Sequence, residues 1–133
     1  QPFRAKRDTR MARALEPSLE DLQRTLAVAR LIFGPKMNVQ SPPNLVADDY
    51  PDLLAAGLND WGGISPVTRD FINPEAAWPQ IAMLEMRTAE AGFVLNERLA
   101  IYPEFARRSE FGVDGVRPTL NKHLDAGSYA RVG

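Results

Sequence analysis

The sequence predicts an α/β fold, in which short strand-like segments alternate with helices. Strand-like runs lie at residues 2–6, 37–40 and 58–61, and a helical segment follows each of them. Connections of this length fit right-handed βαβ units, whose strands form a parallel sheet. Three such units alone would leave the sheet with bare edges and uncovered faces, so we expect further protein to complete it.

The composition is that of one soluble globular domain. The chain has 133 residues, of which 44% are hydrophobic and 25% are charged, and its net charge is −1. This near-neutral balance gives no electrostatic case for a nucleic acid or a membrane surface as partner. No apolar run approaches the roughly 20 residues of a membrane span and no signal peptide opens the chain, so we expect a cytoplasmic protein. Because the first residue is Gln1, we expect a processed, truncated or incomplete N-terminus.

Cysteine is absent, and His123 is the one histidine of the sequence. The lack of thiolates excludes disulfides, thiolate catalysis and any cysteine-ligated zinc or iron–sulfur centre built from this chain alone. His123 lies in a polar C-terminal region, where a lone histidine is most often a surface residue. A metal ion would have to bind to carboxylates, and we predict no metal site.

The first helix has the clearest signals at both of its ends. Ser18 is a suitable N-cap, Asp21 occupies the capping-box position, and Gly34 followed by proline ends the helix. Apolar residues recur at helical spacing and predict one buried stripe. The stripe consists of Leu19, Leu22, Leu26, Ala29 and Phe33.

A second helix is predicted at residues 50–56, between the strands at 37–40 and 58–61. The prolines at 42–43 prevent the first of these strands from continuing in a sheet. Gly57 is placed as the C-cap of the helix.

A third helix is predicted at residues 79–91, followed by interrupted strand-like runs at 93–95 and 99–102. From residue 107 the composition shifts to charged and small residues. We interpret 107–133 as a tail that docks on another surface or links to another domain, with a possible helix at 116–124.

The stretch NDWGGISPVT at residues 59–68 is the candidate functional loop. It combines an amide, a carboxylate, a tryptophan, two hydroxyls and two glycines. The glycines permit a positive φ or a close approach to a ligand, and loops at the ends of short strands often carry function. The alternative is a tight turn with a packed tryptophan.

The run LIFGPKMNVQSPPNL at residues 31–45 resembles FO synthase, the radical S-adenosylmethionine enzyme of deazaflavin biosynthesis. The loop at 59–68 strengthens this resemblance, which covers about residues 1 to 105. Shorter matching runs lie at residues 73–75, 78–79, 91–93, 97–99 and 102–104.

The resemblance implies an α/β barrel of the (β/α)8, TIM-like type, of which this chain holds the last three βα units. Residues 1–106 would be the C-terminal portion of the barrel, and residues 107–133 a tail or linker. A complete barrel needs roughly 250 residues. The family's [4Fe–4S] cluster and S-adenosylmethionine bind at a cysteine triplet in an earlier part of the barrel. The complete enzyme would join a tyrosine-derived unit to a ribityl-aminouracil, whereas this chain alone would be inactive.

Barrel active sites lie at the C-terminal ends of the strands, so we expect the polar residues there to converge on one mouth. Amides and a carboxylate can bind ribityl hydroxyls and ring N–H groups, and a tryptophan can stack on an aromatic ring. The alternative roles are solvated cations, amides that satisfy the loop backbone and a tryptophan that packs inside the barrel. The candidate substrate-binding residues are Arg4, Lys6, Gln40, Asn44, Asn59, Asp60, Trp61, Gly62 and Gly63.

Two functions from different classes remain open at this point. One is the C-terminal segment of an FO synthase, which supplies substrate-binding loops and has the missing N-terminal part of the barrel as its partner. The other is a non-catalytic half-barrel that acts as a structural or assembly module and pairs with a copy of itself. An upstream Cys-x-x-x-Cys-x-x-Cys in the same reading frame would favour the first.

Overall fold

The computed structural model describes residues 1–111 and 115–131, and it divides the chain into two compact units. Unit 1 is Gln1–Phe93 and unit 2 is Val94–Gly133. This division falls before the boundary at residue 106 that the sequence suggested, and the separate tail at 107–133 stays a prediction. Residues 112–114 and 132–133 of that tail lie outside the described residues.

The regular elements are mostly helices. Unit 1 contains α1 (Leu19–Phe33), two 3-10 turns (Pro43–Leu45 and Ala47–Asp49), α2 (Pro51–Ala55) and α3 (Ile81–Glu90), and unit 2 contains α4 (Pro103–Ala106) and α5 (Arg117–His123). Helix α2 contacts both α1 and α3. None of the described helices is long and apolar enough to cross a lipid bilayer.

Helix α1 begins at the predicted capping box. Ser18 Oγ accepts a hydrogen bond from Asp21 N at 3.1 Å, and Asp21 Oδ2 accepts one from Ser18 N at 3.0 Å. The predicted stripe is buried only at Leu22 and Leu26. Its last member, Phe33, is 59% exposed, so the prediction of its burial is wrong.

The three predicted strands do not form within residues 1–111. Segments 37–40 and 58–61 meet at a single parallel bridge between Gln40 and Asp60, and residues 2–6 form no strand. On either side of the bridge, Asn59 N donates to Val39 O at 3.2 Å and Ser41 N donates to Asp60 O at 3.1 Å. The prediction is therefore wrong about continuous strands and right that 37–40 and 58–61 are parallel neighbours.

Continuous strands do not form because the two segments have few backbone groups available to pair with each other. Asn59 Oδ1 accepts from Val39 N at 2.7 Å, so a side chain takes part in the pairing beside the backbone. Beyond the bridge, Pro42 and Pro43 have no N–H to donate. A pair of short strands without further neighbours is marginal in water.

The core of unit 1 is built around α2. Leu53 of α2 and Leu84 of α3 are fully buried, and Leu58 and Tyr50 are each 3% exposed. Within α3, Leu84 and Thr88 are buried, while Ile81 and Met83 are exposed, as is Ala91 just after the helix.

Arg30, in the last turn of α1, ties the helix to both segments of the bridge. Its Nε donates to Gly57 O at 2.9 Å, and its NH1 donates to Gly34 O at 2.8 Å and Met37 O at 2.6 Å. Its NH2 donates to Asn59 Oδ1 at 2.9 Å. One guanidinium therefore fixes the relative positions of four stretches of the chain.

Unit 2 is held together by backbone hydrogen bonds and by hydrogen bonds from arginine side chains. Leu124 and Ala130 form an antiparallel bridge, and Ala130 N donates to Glu97 O at 2.9 Å. Arg117, the first residue of α5, donates to Ala106 O at 2.7 Å and so joins α5 to α4. The helix predicted within residues 116–124 is confirmed.

We expect Gly57→Ala to destabilise unit 1 strongly. Gly57 has φ +101°, and an added Cβ would lie 2.8 Å from Arg30 Cβ. Left-handed backbone and overpacking together cost roughly 2–5 kcal/mol. Gly92→Ala is the matched control, because Gly92 has φ +84° and nothing within 4 Å of the added carbon, so it loses only about 1–2 kcal/mol. Urea unfolding measures both, and equal losses would show that the contact with Arg30 imposes no constraint.

Candidate functional site

Arg4 and Lys6 connect the N-terminal segment to two distant parts of unit 1. Arg4 NH2 donates to Leu45 O, and Arg4 NH1 pairs with Glu16 Oε2 at 3.0 Å. Lys6 Nζ pairs with Glu75 Oε1 at 2.5 Å. Both predicted cations are thus engaged with protein groups.

The Asn44 side chain connects residues 40–45 to residues 70–76. Its Nδ2 donates to Asp70 Oδ2 at 3.1 Å and to Ala76 O at 3.2 Å. Residues 4–6, 40–45, 59–63 and 70–76 therefore form one connected region, which we call the loop cluster. The sequence-predicted site residues lie in three of these four segments, and their convergence on a substrate site stays a prediction.

Asp60 closes the turn at the start of the candidate loop. Its Oδ1 accepts from Gly62 N at 2.8 Å, and its Oδ2 accepts from Gln40 Nε2 at 3.4 Å, which is a long hydrogen bond. Gly62 has φ +78°, and a Cβ there would lie 3.1 Å from Gln40 Cδ. Gly63 has open space where its Cβ would be.

Asn59 and Trp61 make the contacts expected of their alternative roles, which are an amide that satisfies the loop backbone and a tryptophan that packs inside the fold. Asn59 Oδ1 accepts from Arg30 and from Val39 N, and its Nδ2 donates to Asn38 Oδ1 at 3.0 Å. Trp61 is 6% exposed and packs edge-on against Tyr50, with ring centroids 5.7 Å apart. In this structure the indole is a packing residue and has no open face for stacking.

Two buried polar atoms of the loop cluster have no hydrogen-bond partner among the described residues: Ser41 Oγ and Asn44 Oδ1. Ser41 is 1% exposed and Asn44 is 7% exposed. A buried polar atom without a partner costs about 1–3 kcal/mol. Folded proteins rarely leave such atoms unpaired, so each one points to a water, an ion or a ligand.

Sequence reasoning missed Asp70, which holds Asn44 in place. Asp70 Oδ1 accepts from Ile72 N at 2.8 Å and Asn73 N at 3.1 Å, and its Oδ2 accepts from Asn73 Nδ2 and Asn44 Nδ2, each at 3.1 Å. The hydrogen bonds from Asn73, and then those from Ile72 and Asn44, lower the pKa of this carboxyl to about 2. An aspartate shortly before Asn73-Pro74 is a turn signal that could have identified it.

The side chains offer no metal centre in the described ranges. Among residues 1–111 and 115–131, no group of three or more His, Cys, Asp or Glu could hold a metal ion.

Comparison with known proteins gives close relatives over nearly the whole chain. It is 50% identical to the FO synthase of Streptomyces avermitilis over 126 residues, or 95% of the chain. Over 131 residues, or 98% of the chain, it is 53% and 44% identical to the 7,8-didemethyl-8-hydroxy-5-deazariboflavin synthases of Methanopyrus kandleri and Archaeoglobus fulgidus. No family model and no solved structure matches the chain.

The chain spans only a part of each relative: 14% of the Streptomyces protein and 39–40% of the two archaeal proteins. It is therefore similar to one segment of a longer biosynthetic enzyme. That enzyme is FO synthase, and the resemblance inferred from residues 31–45 and 59–68 is confirmed.

We expect Asp70 to make the stability of unit 1 fall in acid. The folded pKa of about 2 lies below the ordinary value of 3.8, so the contribution is fully present above about pH 4. It is lost as the pH falls from there through 2, when the carboxyl protonates. Asp70→Asn should remove this part of the pH dependence, and Asn73→Ala should reduce it by removing one donor. Urea midpoints measured from pH 5 to pH 2 test this, and parallel profiles for wild type and Asp70→Asn would contradict it.

Proposed function

We propose that this chain is the C-terminal segment of the radical S-adenosylmethionine barrel of an FO synthase, and that its loop cluster forms part of the substrate site. The observation that carries the proposal is the identity of 44–53% over 95–98% of the chain to the three relatives described above. The convergence of the loops within the matched stretch supports it. The complete enzyme would make a deazaflavin from a tyrosine-derived unit and a ribityl-aminouracil in the cytoplasm.

The barrel assignment draws support from the order and direction of the elements. Helix α1, segment 37–40, α2 and segment 58–61 follow one another, and the two segments are parallel at the Gln40–Asp60 bridge. In a complete (β/α)8 barrel each strand is paired on both sides. Additional strands would allow 37–40 and 58–61 to extend the single bridge into a ladder.

The radical chemistry belongs to other parts of the enzyme. A [4Fe–4S] cluster needs thiolate ligands, and this chain has no cysteine, so its residues do not fit the cluster. The cluster and S-adenosylmethionine would generate the radical elsewhere in the complete protein. We therefore assign only binding and positioning of the substrate to this segment.

The polar residues of the loop cluster suit a ligand with many hydroxyl and N–H groups. Gln40 is exposed, and among the described residues its amide group makes the long bond to Asp60, which it can exchange for a bond to a ligand. Arg4 and Lys6 are paired with Glu16 and Glu75, and their remaining N–H groups can donate to ligand hydroxyls. Gly62 and Gly63 let the backbone approach a ring closely.

Asn59 and Trp61 take part in the proposal as residues that shape the loop. Asn59 holds the bridge through Arg30 and Val39, and Trp61 anchors the turn against Tyr50. Asn44 belongs to the wall of the site, where its Oδ1 lacks a partner among the described residues.

An apolar row on α1 supports a protein partner. Val28, Leu31 and Ile32 follow the i, i+3, i+4 spacing that places them on one face, and they are 53%, 83% and 71% exposed. Large exposed apolar patches are uncommon on soluble monomers. We assign this face to the missing N-terminal part of the barrel. The second candidate function, a half-barrel that pairs with its own copy, would use the same face.

In the complete enzyme, we expect Asp60→Asn to lower turnover by about ten- to a hundredfold without unfolding the protein. The amide oxygen of asparagine can still accept from Gly62 N, so the turn is retained. The negative charge and one acceptor oxygen are lost to the substrate. A hydrogen bond from the substrate to a charged group contributes about 1.5–3 kcal/mol. Deazaflavin formation and the melting temperature should be measured on the same samples.

The exposed Asp52 provides the control, because Asp52→Asn removes a carboxylate from the first turn of α2. That variant should keep normal turnover. Folded Asp60→Asn enzyme with unchanged turnover would remove Asp60 from the site.

We expect the 133-residue chain to associate in solution, and Leu31→Glu to weaken that association. The substitution places a charge in the middle of the apolar row. Leu15→Glu is the control, since Leu15 is 95% exposed and lies outside α1. Sedimentation velocity at micromolar concentration measures the effect. A monomeric wild-type chain, or equal effects of the two substitutions, would contradict a role for this face.

A further inference from the structure

Asn44 presents an acceptor whose orientation is fixed. Its Nδ2 donates to Asp70 Oδ2 and to Ala76 O, and neither of these oxygens could accept from the other end of the amide. The oxygen Oδ1 is therefore committed to the opposite direction. It is buried without a partner among the described residues, so it is ready to accept one hydrogen bond.

Ser41 is held equally firmly, but its hydroxyl is unused. Its backbone N–H donates to Asp60 O at 3.1 Å, next to the parallel bridge. Another buried hydroxyl of unit 1, Thr88 Oγ1, donates to Leu84 O at 2.6 Å. Ser41 Oγ finds no such acceptor or donor in residues 1–111 or 115–131. Two buried side-chain atoms that lack a hydrogen-bond partner among the described residues therefore lie only three residues apart in the sequence.

We propose that Ser41 is a further substrate-binding residue, whose hydroxyl and the Asn44 Oδ1 atom together bind N–H or O–H groups of the ligand. This inference rests on the proposed function, since it concerns the same loop cluster. The ligand class is a neutral hydrogen-bond donor such as a polyol chain or a ring amide. An anionic group is disfavoured, because Asn44 Oδ1 can only accept and the Asp70 carboxylate lies directly behind it.

Asp70 acts on the ligand only through Asn44 and is a positioning residue. It belongs to residues 62–80, which contain no helix and no strand and which cover Asn44 through Asp70 and Ala76. Within this stretch Val67, Phe71 and Ile72 are 90%, 76% and 71% exposed, so few packing contacts hold it down.

The experiment uses the full-length protein that contains this segment, with 7,8-didemethyl-8-hydroxy-5-deazariboflavin as the probe. Calorimetric titration gives the Kd, and thermal unfolding without ligand gives the Tm. Ser41→Ala should raise the Kd about tenfold, which corresponds to the loss of one hydrogen bond. Its Tm should stay the same or rise, because removing an unpaired hydroxyl leaves no other group without a partner.

Thr88→Val is the matched control, because it removes a buried hydroxyl that already has a partner. Its Tm should fall and its Kd should stay at the wild-type value. An internal water on Ser41 predicts an unchanged Kd for Ser41→Ala, and that result would overturn the inference while wild-type binding leaves the proposed function standing. A wild-type protein that does not bind the probe would overturn the proposed function and this inference with it.

Two further measurements locate the bond and test Asp70. An analogue with a methyl group in place of the ribityl chain should bind wild type and Ser41→Ala equally if the hydroxyl meets the chain, and unequally if it meets the ring.

Asp70→Ala should raise the Kd, and Asp70→Asn should restore part of the affinity because its oxygen can again accept from Asn44. Equal Kd values for folded Asp70→Ala and wild type would remove the positioning role.

Discussion

The geometry of unit 1 depends on the hydrogen bonds of one arginine. Arg30 reaches from the last turn of α1 to Gly34, Met37, Gly57 and Asn59. Three of these acceptors are backbone oxygens, so the side chain fixes the course of the main chain directly. The segments on either side of the Gln40–Asp60 bridge are thereby held in parallel, and the loops that follow them meet at the loop cluster.

Local chemistry could be predicted from the sequence, and contacts between distant residues could not. The capping box of Ser18 and Asp21 lies within four residues, so α1 was placed correctly. The role of Arg30 depends on acceptors up to 29 residues away, and that of Asp70 on Asn44, 26 residues away. Segments 37–40 and 58–61 were correctly predicted to be neighbours from their order along the chain. They form only one bridge, because a strand also needs partners that are distant in the sequence. For Trp61, burial decided between packing and stacking, and burial is a property of the folded unit.

The loop cluster combines a rigid frame with unfinished hydrogen bonding. Asp70 holds the Asn44 side chain and the bridge holds the backbone at residues 40 and 41, while Ser41 Oγ and Asn44 Oδ1 remain unpaired within the described chain. Such local conflicts between polarity and burial are characteristic of functional sites, because a ligand can supply the missing partners. The chain is 53% identical over 131 residues to a deazariboflavin synthase, which gives that ligand its proposed identity.

A segment exchange tests the central claim most directly. The matching 126 residues of the Streptomyces avermitilis FO synthase, to which this chain is 50% identical, would be replaced by those of this chain. Deazaflavin formation by the purified, cluster-loaded chimera is the measurement. If this chain is an FO synthase segment with a working substrate wall, the chimera forms deazaflavin. A folded chimera that holds its cluster, cleaves S-adenosylmethionine and yet makes no deazaflavin would contradict the account.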